Sequence, residues 1–98
     1  MTFEVWHLNW QSPGPLLLGL PDARPDLTWY ECRGKVRAKG TGDAYVRLQN
    51  MDSRHKSAIP GRSFSVGDML RTVGPGGRLG SFLLCEPVGW REVQPVAD

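Results

Sequence analysis

The sequence predicts an α+β domain: a small, mainly antiparallel sheet of four to five strands with one helix packed on one face. Three observations lead there. Short β-favouring runs recur along the chain, separated by Gly/Pro punctuation. Only one stretch, from Asp43 to Met51, carries helical periodicity. With 98 residues, 40% hydrophobic and 22% charged, the chain has the composition of one ordinary folded domain and not of a disordered segment.

Residues 2–10 read as the first strand. Phe3 and Val5 share one parity, while Trp6, Leu8 and Trp10 take the other. That change suits a central strand covered on both faces, or a bulge. His7 has no fixed partner in sequence and is expected to be a partly buried, hydrogen-bonded histidine and not an acid–base group.

Residues 11–28 carry Pro13, Pro15, Pro21 and Pro25 with Gly14 and Gly19. Proline lacks the N–H that helix and sheet both need, so a long connection without regular helix or strand is expected. Leu16, Leu17, Leu18 and Leu20 are too apolar for a solvated loop. They either pack back onto the domain, the preferred reading, or form an exposed contact patch for a partner.

The second strand spans residues 28–39. Cys32, Gly34, Val36 and Ala38 occupy one parity; Glu31, Arg33, Lys35, Arg37 and Lys39 occupy the other. Strict alternation would place four cations on a single face, adjacent ones roughly 6.6 Å apart. Such a row is either a solvated, lysine-protected sheet face or a surface for a polyanion or acidic partner. Residues 31–62 together carry a formal charge of +5, against −2 for the first 30 residues and −1 for the last 36. Arg47, Arg54 and Lys56 could widen the basic face.

Gly40-Thr-Gly42 breaks the strand, and the helix follows over Asp43–Met51. Thr41 or Asp43 is expected to cap it, with Ala44, Leu48 and Met51 as its apolar stripe and Tyr45 alongside. A polar, basic loop over 52–62 includes Asp52 and His55 and closes at Ile59-Pro60-Gly61. Phe64 and Val66 alternate with Ser63 and Ser65 as on a half-buried strand. Gly67-Asp68 then kinks the chain into a core strand running to Val73, the carboxylate accepting hydrogen bonds from nearby backbone N–H groups. Gly74-Pro-Gly-Gly-Arg78 is a hairpin by composition. Ser81–Cys85 is dense enough for a core strand, Gly89–Val93 is a short last strand, and 94–98 is expected to fray.

The stretches Asp43-Ala-Tyr-Val-Arg-Leu-Gln-Asn-Met-Asp52, Gly61-Arg-Ser-Phe-Ser-Val-Gly-Asp-Met-Leu70 and Gly89-Trp90 together resemble the YodL-like small proteins of bacteria, plasmids and phages. That family combines a helix ending in Asn, a Ser-x-Ser-Val-Gly-Asp motif followed by two apolar residues, and a closing Gly-aromatic strand. Phe3-Glu-Val-Trp-His-Leu-Asn9 is similar to the opening strand of actinobacterial and phage members. The resemblance spans most of the chain outside residues 11–28. It departs from the pattern at Met69-Leu70, where β-branched pairs are usual. It implies fold, and a structural motif at Ser63, Ser65, Gly67, Asp68 and Trp90, more than activity.

Cys32 and Cys85 are the only cysteines. With no basic-then-apolar leader at the N-terminus, both are expected to be buried free thiols, not a disulfide. A zinc site from His7, Cys32, His55 and Cys85 lacks any close ligand pair, so no metal or cofactor is expected. No stretch approaches the eighteen apolar residues of a membrane span, and a cytoplasmic protein is expected. The serines lack a nucleophile-elbow context, and the carboxylates Asp43, Asp52, Asp68, Glu86 and Glu92 show no paired arrangement. The leading expectation is therefore a non-enzymatic protein-binding accessory or modulator, with homodimerisation compatible with it. The alternative is a nucleic-acid-binding module using the basic face, and a small hydrolase ranks third.

Overall fold

The computed structural model describes residues 1–20, 22–51 and 54–96; Pro21 of the connection, Asp52 and Ser53 of the basic loop, and Ala97 and Asp98 of the tail lie outside them. Strands β1 (Thr2–Leu8), β2 (Tyr30–Arg37), β3 (Met69–Val73), β4 (Leu79–Cys85) and β5 (Trp90–Val93) form one sheet in the order β2-β1-β3-β4-β5. Every neighbouring pair is antiparallel. The α+β expectation is met, with five strands among the described residues. The Gly/Pro run after β3 forms the hairpin to β4, through a tight turn in which Gly77 N donates to Gly74 O and Gly76 takes a φ of +73°.

β1 is an interior strand covered on both faces, which is what the parity change in its sequence reflects; the bulge lies in its partner β2. The register against β2 slips between Val5 and Trp6, so that Val5 faces Gly34 while Trp6 faces Cys32. Arg33 is the extra residue of this bulge, and the φ of +131° at Gly34 is a value that side-chain-bearing residues rarely adopt. By ordinary alternation along β1, Phe3 and Val5 look to one face of the sheet with Val36, Ala44, Leu48, Phe64 and Leu70. Trp6 and Leu8 look to the other, with Tyr30, Met69, Phe82, Leu84 and Val93. Full burial of side chains such as Phe3, Val5 and Leu70 contributes about 1.5–3 kcal/mol each.

The first face is covered by α2 (Thr41–Arg47), which is shorter than the expected Asp43–Met51. Ala44 and Leu48 are buried against the sheet, but Met51 lies past the helix end and is exposed. No side chain caps the N-terminus; instead the Asp43 carboxylate reaches back to accept from Lys39 N (2.9 Å) and pairs with Arg47 at 3.0 Å. Residues 63–66 are not a strand. Phe64 is buried, while Val66 is half exposed.

The second face is covered by the connection between β1 and β2, which does hold one helical turn, α1 (Gly14–Leu17), because Pro13 and Pro15 sit where their missing N–H groups are not needed. Of Leu16, Leu17, Leu18 and Leu20 only Leu18 packs against the core; the other three are exposed. The 94–96 segment is not frayed. Val96 N donates to Pro25 O at 2.8 Å, Leu27 N donates to Val96 O at 2.9 Å, and Arg24 Nε donates to Gln94 O.

The two thiols part company. Cys85 is buried, and burial, reinforced by the Asp68 and Glu86 charges, pushes its pKa up to about 11. Cys32 is exposed, because the bulge turns it out on the edge strand. The expectation of two buried thiols is corrected for Cys32. Native protein should therefore titrate one equivalent of an aromatic disulfide reagent rapidly, the second only on unfolding, and Cys32→Ser should abolish the fast phase. Two fast thiols, or none, would contradict the burial described.

Candidate functional site

The site is built outward from Asp68. Ser65 to Asp68 form a tight turn, Asp68 N donating to Ser65 O at 3.0 Å. Gly67 occupies its third position at φ +95°, the value such a turn demands of glycine. A Cβ there would also come within 3.1 Å of the Leu8 side chain. The turn drives the Asp68 carboxylate, 0% exposed, toward the end of β1. One oxygen accepts from Leu8 N (2.7 Å) and Arg62 Nη2 (2.7 Å); the other accepts from Arg62 Nη1 (2.7 Å) and Ser65 N (2.8 Å). Arg62 also donates to Leu8 O and Ser63 O, so its fork is held at both tips. Backbone donors were foreseeable from the Gly-Asp kink; the arginine was not.

The loop that delivers Arg62 is stapled from behind. Asn50 receives Ser57 N, donates through Nδ2 to Gly61 O (2.7 Å), and its own N–H donates to Ser63 Oγ (2.8 Å). Gln49 Nε2 donates to Phe64 O, and Trp90 packs on the Phe64 ring at 5.8 Å. Ser63, Ser65, Gly67, Asp68 and Trp90 thus all serve one local structure.

Above this frame lies an open cleft of about 770 Å³, between the end of β1, the 3₁₀ turn at Leu27–Trp29 and the Gly61–Arg62 loop. Its walls include His7, Trp10, Gln11, Trp29, Glu31, Arg33 and Arg62. The Arg62 guanidinium lies over the Trp10 ring at 4.3 Å. His7 is buried against Phe64 and its Nε2 finds no hydrogen-bond partner among the described residues, in contrast to the hydrogen-bonded histidine expected. No serine, cysteine or carboxylate bonds to the ring among the described residues, and no three His, Cys, Asp or Glu side chains there gather to hold a metal.

The basic face is not one surface. Arg33, displaced by the bulge, turns into the cleft toward Glu31 Oε1 (3.2 Å) and Pro60 O. Lys35 and Arg37 stay on the opposite face of the sheet, facing Glu4 and Thr2 on β1. Lys39 falls beyond the strand end. Arg47, Arg54 and Lys56 come together around a separate depression of about 370 Å³. The row of four evenly spaced cations is corrected: one residue of bulge breaks the alternation on which it rested. Trp10, Trp29 and Arg62, which the sequence reading did not single out, converge instead.

Comparison of the chain with family models, with curated proteins and with solved structures finds no match in any of the three.

Burial pushes the His7 pKa below its ordinary 6.5; the Asp68 charge opposes this, while Arg62 and Arg33 add to it. The unfolded chain then takes up a proton near pH 6.5 that the folded chain resists. Stability from this group is complete above that pH and is lost as pH falls below it. The melting temperature should drop between about pH 7 and pH 5, and His7→Gln should flatten most of that slope. Equal slopes in the two proteins would contradict the buried, neutral His7.

Proposed function

We propose that this chain is a non-enzymatic protein-binding accessory or modulator, of the kind carried by phages and mobile elements. The observation that carries the reading is the turn over residues 14–20. Leu18 anchors it to the core, while Leu16 (80% exposed) and Leu20 (59%) stand out in water with Leu17 between them. Single exposed leucines are ordinary, but three within five residues on a tethered turn form the kind of apolar patch that marks a contact site. Pro13 and Pro15 restrict the backbone in advance, which lowers the entropy lost when a partner docks. The resemblance to YodL-like small proteins supports the same reading. No helix among the described residues is long and apolar enough to cross a membrane.

The nucleic-acid alternative rested on a continuous basic face. With Arg33 paired to Glu31 and Arg47 to Asp43, and Lys35 and Arg37 on another surface, that support is weakened.

Leu16→Ser/Leu20→Ser tests the reading. Both side chains are exposed, so stability should change by less than about 0.5 kcal/mol. Affinity capture from bacterial lysate should retain a partner with the native chain and lose it with the double variant. Sedimentation of the purified chain separates self-association from a foreign partner. Equal capture by both chains would overturn the leucine turn as the contact. A mobility shift of single-stranded oligonucleotides near physiological salt, unchanged in the variant, would put the nucleic-acid module ahead.

A further inference from the structure

The cleft at the end of β1 has a chemistry narrower than apolar contact. Trp10 forms one wall. One face of its indole is held by the Arg62 guanidinium at 4.3 Å, and that guanidinium is itself fixed by two bonds to a fully buried carboxylate. The ring is therefore a preorganised platform, yet 59% of the residue remains open to solvent. Trp29, half buried, lines the same cleft. The indole N–H of Trp6 is spent on Glu4, but those of Trp10 and Trp29 donate to nothing among the described residues, and neither does the Gln11 side chain.

Charge decides between ligand classes. Arg33 is matched by Glu31 and Arg62 by Asp68, so the charged groups of the cleft balance. A nucleic-acid strand needs a groove whose cations are uncompensated. A sugar brings hydroxyl donors as well as acceptors, and Asn9 Oδ1 and Glu31 Oε1 are already engaged by Gln11 N and Arg33, which leaves Gln11 Oε1 and the second Glu31 oxygen to receive them. The feature that sets the cleft apart is two indoles with N–H donors that bond to nothing among the described residues. A polyproline II segment complements that set, since proline rings pack on indoles and the backbone offers carbonyls without N–H groups to satisfy. The volume, about 770 Å³, lies within the usual range of ligand sites.

Resting on the protein-binding reading above, we propose that this cleft takes a proline-rich segment of the protein partner. Trp10 and Trp29 supply the stacking faces and the N–H donors to its carbonyls. The leucine turn supplies a second, separate contact, so the two surfaces can fail independently.

The test is a titration of the isotope-labelled full chain with a decaproline peptide, read at the indole N–H signals. Those of Trp10 and Trp29 should move saturably while those of Trp6 and Trp90 stay. Trp10→Ala should weaken binding about tenfold or more, the loss typical of an aromatic anchor. Trp10→Phe keeps a ring face and should weaken it less, which guards against misreading an unfolded alanine variant. Parallel arms use oligothymidylate and cellohexaose. Unmoved Trp10 and Trp29 signals at several millimolar peptide would overturn the proposal, as would movement by the oligonucleotide or the sugar but not the peptide. Peptide failure with leucine-dependent capture intact would sink the cleft assignment alone; failure of both would sink the protein-binding reading.

Discussion

The Asp68 carboxylate accepts four hydrogen bonds, two on each oxygen, at a place water does not reach. An ionised carboxylate in that position is costly unless its lone pairs are filled. Here they are filled by two backbone donors and by a bidentate guanidinium, the arrangement in which Arg–carboxylate pairing is strongest. The pair also finishes strand β1. Ladder pairing with β3 stops at Trp6 and Met69, and beyond it Leu8 gives its N–H to Asp68 and its C=O to Arg62. Side chains take over where the neighbouring strand has turned away.

Other features depend on that closure. Tyr30 OH donates to Gly67 O at 2.7 Å, and Cys85 N donates to Asp68 O, so β2 and β4 are tied to the same turn. Arg62 can support Trp10 only because Asp68 holds the guanidinium still. The bulge at Arg33 brings a second arginine to the cleft and removes it from the sheet face, so one inserted residue both builds the cleft and dismantles the basic row. The leucine turn is fixed midway along the same connection, through Leu18 against the core.

Much of this was legible in the sequence, for local reasons. Strands announced themselves by β-favouring runs between glycines and prolines. The parity change at Val5/Trp6 reflects an interior strand covered on both faces, the bulge itself falling at Arg33 on the neighbouring strand, and Ser-x-Ser-Val-Gly-Asp located the kink. What was not legible is long-range. Nothing in residues 61–68 says that Arg62 folds back on Asp68, because the intervening chain is coil without period. The cation row was lost because alternation assumes an unbroken strand. Met51 drew on a helical period that the structure ends at Arg47. The leucines read as core because composition cannot tell which of four adjacent apolar side chains finds room beneath the turn. Cys32 shared a parity with Val36 in sequence but lies across the bulge from it.

The most direct measurement is a double-mutant cycle on Arg62→Met and Asp68→Asn by urea unfolding. Removing either partner of a buried pair should lose about 3–5 kcal/mol, and the double variant should be little worse than either single one. A coupling energy of about 2 kcal/mol or more, accompanied in both single variants by a shifted Trp10 indole signal, is the predicted result. Losses that add within about 0.5 kcal/mol, or a Trp10 signal unmoved in both, would contradict the claim that this pair holds the end of the sheet and the cleft above it.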